Sequence, residues 1–182
     1  MKFLGMMMLL MTALAHSAAP AGQRQKVIVD FDLGNDIDDA FALALLLASP
    51  ELELVGITLD HGRTDLRAQI ACRMLYEVGC ETIPVAVGRQ TAHRVGKDRE
   101  PAPYHPQYYW AEGFTAVKPV STPAADFIIH MLNRYPGEIV LITTGPVPNM
   151  ADVVAKDAGA LKKKSAKSAS SADKSAPITS DR

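Results

Sequence analysis

Between Val27 and Ala48 an apolar, β-branched stretch passes through Asp30, Asp32, Asp36, Asp38 and Asp39 into an apolar stretch without Gly or Pro. No other feature constrains the fold as strongly. Carboxylates crowded this closely repel one another unless a cation or a set of donors gathers them. The junction between a strand's C-terminal end and a helix is also where open α/β sheets bind ligands. A hard cation with an oxygen shell is the economical explanation of the cluster, and Ca²⁺ is the best candidate.

The remaining elements follow from periodicity and punctuation. Lys26 to Asp30 reads as a buried strand, and Asp39 to Ala48 as a buried helix ended by Ser49-Pro50. Leu52 to Thr58 is a second strand. Thr64 to Val78 is a helix with Leu66, Ile70, Met74 and Val78 expected inward, closed by Gly79. Ile83 to Val87 is a third strand, Thr122 to Tyr135 a helix, Ile139 to Thr143 a fourth strand and Met150 to about Leu161 a last helix. Strands alternating with helices predict an α/β domain, a parallel Rossmann-like open sheet with flanking helices. The stretch 88–119 has no clear period and reads as a long loop. Its Tyr104, His105, Tyr108, Tyr109 and Trp110 would either stack on a flat ligand or pack on the domain's own surface.

Composition sets the outer limits. With 182 residues, 48% hydrophobic and 21% charged, the chain can form one medium globular domain, expected over residues 24–161. A net charge of −1 gives no long-range attraction to nucleic acid or to an anionic membrane. Lys2, the apolar run from Phe3 to Leu14 and Ala13-Leu14-Ala15 read as an export signal over residues 1–20, which implies a periplasmic or secreted protein with no stable membrane insertion after cleavage. Residues 162–182 are Lys, Ser, Ala and Asp with almost no large apolar side chain, the composition of a disordered tail. Cys72 and Cys80 are expected to be buried and unpaired, because eight positions along a helix is about 12 Å of rise. The scattered His61, His93 and His130 show no ligand spacing, and His61 is expected at the surface.

Four segments together carry a resemblance. Asp30-Phe31-Asp32-Leu33-Gly34-Asn35-Asp36-Ile37-Asp38-Asp39-Ala40 resembles the N-terminal signature of inosine/uridine-preferring nucleoside hydrolases, in the variant with two extra residues before the paired aspartates. Gly56-Ile57-Thr58 with Gly62, Pro84-Val85-Ala86-Val87-Gly88, and Thr144-Gly145-Pro146-Val147-Pro148-Asn149-Met150-Ala151 resemble the family's later strands and turn, in the right order. The resemblance implies Ca²⁺-dependent hydrolysis of the N-glycosidic bond of ribonucleosides. It implies Asp32 as a metal ligand and as base toward the attacking water, Asp39 as a metal ligand and the Thr144 carbonyl as a third. Asp38 would hold a ribose hydroxyl and help position the water, and Asp30 and Asn149 would support the site from the substrate-binding side. The expected partner is a small ribonucleoside, and a homo-oligomer is compatible with the sequence.

Two departures bear on that expectation. Arg63 stands where the family has an asparagine. The family's later segment, with its ribose clamp and a His-Asp pair, has no counterpart before the composition changes at Lys162. Impaired catalysis and weakened cation binding are therefore expected of this chain alone, as is an exposed apolar edge. Two alternatives compete: a non-catalytic Ca²⁺- or ribose-binding relic, and a haloacid dehalogenase-type phosphatase, which also opens on a strand and D-x-D. The phosphatase pattern wants Thr or Val where Gly34 stands and lacks the Asp38-Asp39 pair. An EF-hand loop counted from Asp30 would need Glu where Phe41 stands.

Overall fold

The computed structural model describes residues 24–91 and 107–162. The expected signal segment, His93, Tyr104, His105 and the tail after Lys162 lie outside the described residues. Four strands form one parallel sheet: β1 (Gln25–Phe31), β2 (Leu52–Leu59), β3 (Val85–Val87) and β4 (Ile139–Thr143), in the order β3-β2-β1-β4. Helices α1 (Asp38–Ala48), α2 (Thr64–Glu77), α3 (Ala124–Arg134) and α4 (Pro148–Lys162) connect and flank them, with a 3-10 turn at Tyr108–Ala111. Central β1 pairs with β2 along its length and with β4 from Lys26↔Ile139 to Asp30↔Thr143. No helix among the described residues is long and apolar enough to cross a membrane.

Strand alternation divides the core in two. Val27, Val29 and Phe31 of β1 face α1 and α2 and pack with Leu43, Ile57, Leu59 and Leu75. Ile28 faces the other way, toward Phe127, Ile128, Met131 and Leu132 of α3 and Val153 of α4. The same alternation puts Asp30 of β1 on the α3/α4 side, beside Thr58 of β2.

Several expectations need correction. α1 is only half buried: Leu43 is fully enclosed, whereas Ile37, Phe41 and Leu45 are 61, 68 and 69% exposed. Their spacing of four puts them on one stripe. α2 turns a different face inward than its large apolar residues suggest. Arg67, Ala68, Ala71, Cys72 and Leu75 are buried with Ile70, while Val78 is exposed. Cys72 is buried, but Cys80 is only partly so, and both are free thiols. His61 is buried, not at the surface. α4 begins two residues earlier than expected, at Pro148, and is broken at Asp157, whose backbone is non-helical and whose Oδ1 accepts from the N–H groups of Gly159 and Ala160. β3 and β4 are the edge strands of the sheet among the described residues.

Candidate metal and ribose site

The acidic loop leaves β1 at Phe31 and enters α1 at Asp38. Gly34, at φ +103°, makes the turn in a conformation that L side chains rarely adopt. Arg67 holds this loop from below. Its fully buried guanidinium donates to the backbone carbonyls of Asp32, of Leu33 (2.9 Å) and of His61 (2.8 Å), and to Asn35 Oδ1 (2.8 Å). Asn35 in turn donates to Asp32 Oδ2 at 2.6 Å. The fork geometry of arginine suits such a fan of acceptors, and its charge offsets the crowd of carboxylates.

Asp38 is exposed at the start of α1 and accepts from the Asp39 N–H at 3.0 Å. It is not the N-cap residue: that position is Ile37, which makes no side-chain cap hydrogen bond. Asp39 points inward and is buried. Its Oδ1 accepts from the Thr144 hydroxyl at 3.0 Å, which joins the start of α1 to the end of β4 across 105 positions of sequence. Burial raises the Asp39 pKa, the Thr144 hydrogen bond opposes this, and the charges of Asp32 and Asp38 raise it further. The Thr144 N–H donates to the Asp30 carbonyl at 3.0 Å, so its turn begins tied to β1.

A second, buried tier lies on the α3/α4 side of the sheet. Asp30 is fully buried, and its Oδ1 accepts from Thr58 Oγ1 (2.5 Å) and Asn149 Nδ2 (2.7 Å). Asn149 Nδ2 also donates to the Leu59 carbonyl at 3.1 Å. Burial raises the Asp30 pKa against both hydrogen bonds. A carboxylate enclosed in this way supports its neighbours; it is not placed as a nucleophile toward an incoming phosphate. Asp60, just past β2, is fully buried as well. Its Oδ2 accepts from the Val147 N–H at 3.0 Å. Burial first, and then the charges of Asp30 and Asp32, push its pKa up to about 7. Asp30 Oδ2, Asp60 Oδ1 and Asn149 Oδ1 are buried without a hydrogen-bond partner.

The structure thus brings Asp39 and Thr144 into contact and places Asp32 and Asp38 close enough to perturb Asp39. Asn149 lies in the tier beneath, bonded to Asp30. Among the described residues no three His, Cys, Asp or Glu side chains form a metal-holding group. The cation ligands that the resemblance implies, Asp32, Asp39 and the Thr144 carbonyl, would need further oxygens from water or ligand. That donor set suits a hard cation in kind. The burial of Asp39 against the Thr144 hydroxyl, with Asp32 and Asp38 on the same loop, is the observation in its favour.

Three comparisons bear on this geometry. The family model described as inosine-uridine preferring nucleoside hydrolase matches residues 27–167. This chain belongs to that family. It is 33% identical over 149 residues to a probable uridine nucleosidase 2 of Arabidopsis thaliana, covering 75% of this chain and 44% of the relative. Among solved structures it superposes on the plant nucleoside hydrolase PpNRh1 with a TM-score of 0.64 and 35% identity, covering 76% of this chain and 45% of that one. A purine-preferring ribonucleoside hydrolase from Gardnerella vaginalis matches with a TM-score of 0.57 and 26% identity, over 74% of this chain and 45% of that one. The chain therefore spans a little under half the length of these nucleoside hydrolases.

Within the family frame, other residues take their places. Arg63 is exposed and pairs with Asp65 at 2.8 Å, holding that carboxylate below its usual range. His61 adopts φ +58°, and its Nδ1 lies 3.1 Å from Thr91 Oγ1. Of the aromatic group, Tyr108 packs on the domain itself, with Arg67 5.8 Å from its ring centre, and Arg73 lies 4.8 Å from the centre of the Trp110 ring. Tyr109 and Trp110, with Leu33, Ile37, Ile70 and Met74, line an open apolar cleft of about 280 Å³ beside the acidic loop. Arg67 and Asp60 escaped sequence reasoning. The one available signal was general: a crowd of aspartates needs a counter-charge, and Arg67 is the only buried arginine or lysine among the described residues.

Proposed function

We propose that this chain carries the cation- and ribose-binding half of a ribonucleoside N-glycosidase, with Ca²⁺ as its ion. The observation that carries the reading is the Asp39–Thr144 hydrogen bond. It joins two of the family-like motifs at the C-terminal edge of a parallel sheet, where such folds bind ligands.

Cleavage of a nucleoside passes through an oxocarbenium-like sugar attacked by water. A bound Ca²⁺ would orient water and ribose hydroxyls together and make the water easier to deprotonate. Asp32, held by Asn35, accepts the water's proton as it attacks the anomeric carbon. Asp38, exposed above it, holds a ribose hydroxyl. The summed negative charge of Asp32, Asp38 and Asp39 stabilises positive charge growing on the sugar. The departing base takes its proton from solvent water as the glycosidic bond breaks. The substrate class is a ribonucleoside; the relatives include both a probable uridine nucleosidase and a purine-preferring ribonucleoside hydrolase. The N-terminal run to about residue 20 supports export, and N-terminal sequencing of the mature protein checks it.

The test is release of free base and ribose from inosine and uridine by the purified chain, with CaCl₂ and with EDTA. Turnover that EDTA abolishes and Asp32→Asn removes supports the reading. Saturable ribonucleoside binding without turnover supports the binding-relic alternative. Neither binding nor turnover refutes both.

A further inference from the structure

We propose that Asp60 is a positioning residue that clamps the Thr144–Val147 turn over the end of β1, so that the Thr144 carbonyl stands with Asp32 and Asp39. The proposal rests on the cation-site reading above and adds to it a residue outside the family-like motifs.

Topology makes such a clamp necessary. In the order β3-β2-β1-β4, the ends of β2 and β4 are separated by β1 and share no ladder. Asp60 crosses that gap. It leaves the end of β2, where its own N–H is tied to the Phe31 carbonyl at 3.0 Å, and its Oδ2 accepts from Val147 beyond β4 at 3.0 Å. The turn is then held at both ends, by the Thr144 N–H on the Asp30 carbonyl and by the Val147 N–H on Asp60.

Three observations indicate that this contact determines the turn's shape. Val147 sits at φ +59°, costly for a β-branched residue, and persists there only because its surroundings enforce it. Gly145 lies directly against the Asp60 carboxylate: a Cβ there would overlap Oδ1 and stand 2.8 Å from Cγ. Asp60 is itself fully buried, with Oδ1 lacking a partner, so its carboxylate is enclosed beneath the turn and not solvated. The base of the clamp is rigid too, because Arg67 fixes the His61 carbonyl next to Asp60.

The experiment compares the full chain with Asp60→Asn, Asp60→Ala and Gly145→Ala by calorimetric titration with CaCl₂ and by amide hydrogen exchange over residues 144–148. Asparagine keeps an acceptor for the Val147 N–H; alanine removes it; Gly145→Ala lifts the turn while leaving the carboxylate in place, and serves if Asp60→Ala does not fold. Loss of a group that orients a metal ligand weakens affinity by about ten- to a hundredfold. Asp60→Ala and Gly145→Ala should show that loss, with faster exchange confined to the turn, while Asp60→Asn stays near the wild type. Wild-type affinity in Asp60→Ala, or in a folded Gly145→Ala, overturns the proposal, as does an equal loss in Asp60→Asn. If the wild type binds no Ca²⁺, the cation-site reading fails separately. Exchange at Val147 then decides the clamp, and equal rates in wild type and Asp60→Ala refute it.

Discussion

Arg67→Ala should destabilise the domain more than any surface substitution. The guanidinium supplies the donors to the Asp32, Leu33 and His61 carbonyls and to Asn35 Oδ1, and it is fully buried. A buried acceptor stripped of its donor costs about 1–3 kcal/mol. Simple addition over four acceptors would overstate the loss, because neighbours relax and water enters the space left behind. Removal of one partner from a buried charged network costs about 3–5 kcal/mol, and that is the expected effect. The loss of the positive charge would also raise the pKa values of Asp39 and Asp60, both of which it lowers. Urea unfolding followed by circular dichroism measures the change. Arg67→Lys keeps the charge but cannot reproduce the fork, so it should fall between wild type and alanine. A loss below about 1 kcal/mol in the alanine variant would refute the claim that Arg67 organises the acidic loop.

Other outcomes follow from the same geometry. In metal-free protein the Asp60 pKa is raised to about 7 from 3.8, so the folded state binds this proton more tightly than the unfolded chain. Its stabilising contribution is complete below about pH 4 and is lost as pH rises through about 7, on the order of a few kcal/mol; Asp30 and Asp39 act in the same direction. Melting in EDTA should therefore drop between pH 5 and 7.5, and a flat profile contradicts this. Phe41→Lys with Leu45→Lys, on the exposed stripe of α1, should reduce concentration-dependent association in sedimentation velocity without lowering the melting temperature. Asp39→Asn should abolish Ca²⁺-induced stabilisation in thermal melts; an unchanged shift would remove Asp39 from the cation site.

The sheet was legible because its strands are β-branched runs with clear punctuation. β4 spans the expected Ile139–Thr143, β1 runs one residue further at each end, β2 one residue further at its C-terminal end, and β3 starts two residues later, at Val85. α2 was legible as a helix but not in its facing. Its inward face carries alanines and an arginine satisfied by carbonyls from other elements, and hydrophobic periodicity has no means of marking such a residue. α1 looks buried in the sequence because it is apolar nearly all round, yet nothing among the described residues covers Ile37, Phe41 and Leu45. Asp32, Asp38, Asp39, Thr144 and Asn149 can be nominated from sequence because they fall inside contiguous motifs. Asp60 was not, because its partner Val147 is 87 residues away and a lone aspartate after a strand looks like an ordinary turn residue.

The central claim is that Asp32, Asp39 and the Thr144 carbonyl share one divalent cation. A crystal structure of the chain grown with CaCl₂, with the ion located by anomalous scattering, tests this most directly. The account predicts Ca²⁺ within about 2.3–2.6 Å of a carboxylate oxygen of Asp32, one of Asp39 and the Thr144 carbonyl oxygen. Calcium bound elsewhere, or these oxygens left without it at saturating concentration, would contradict the account.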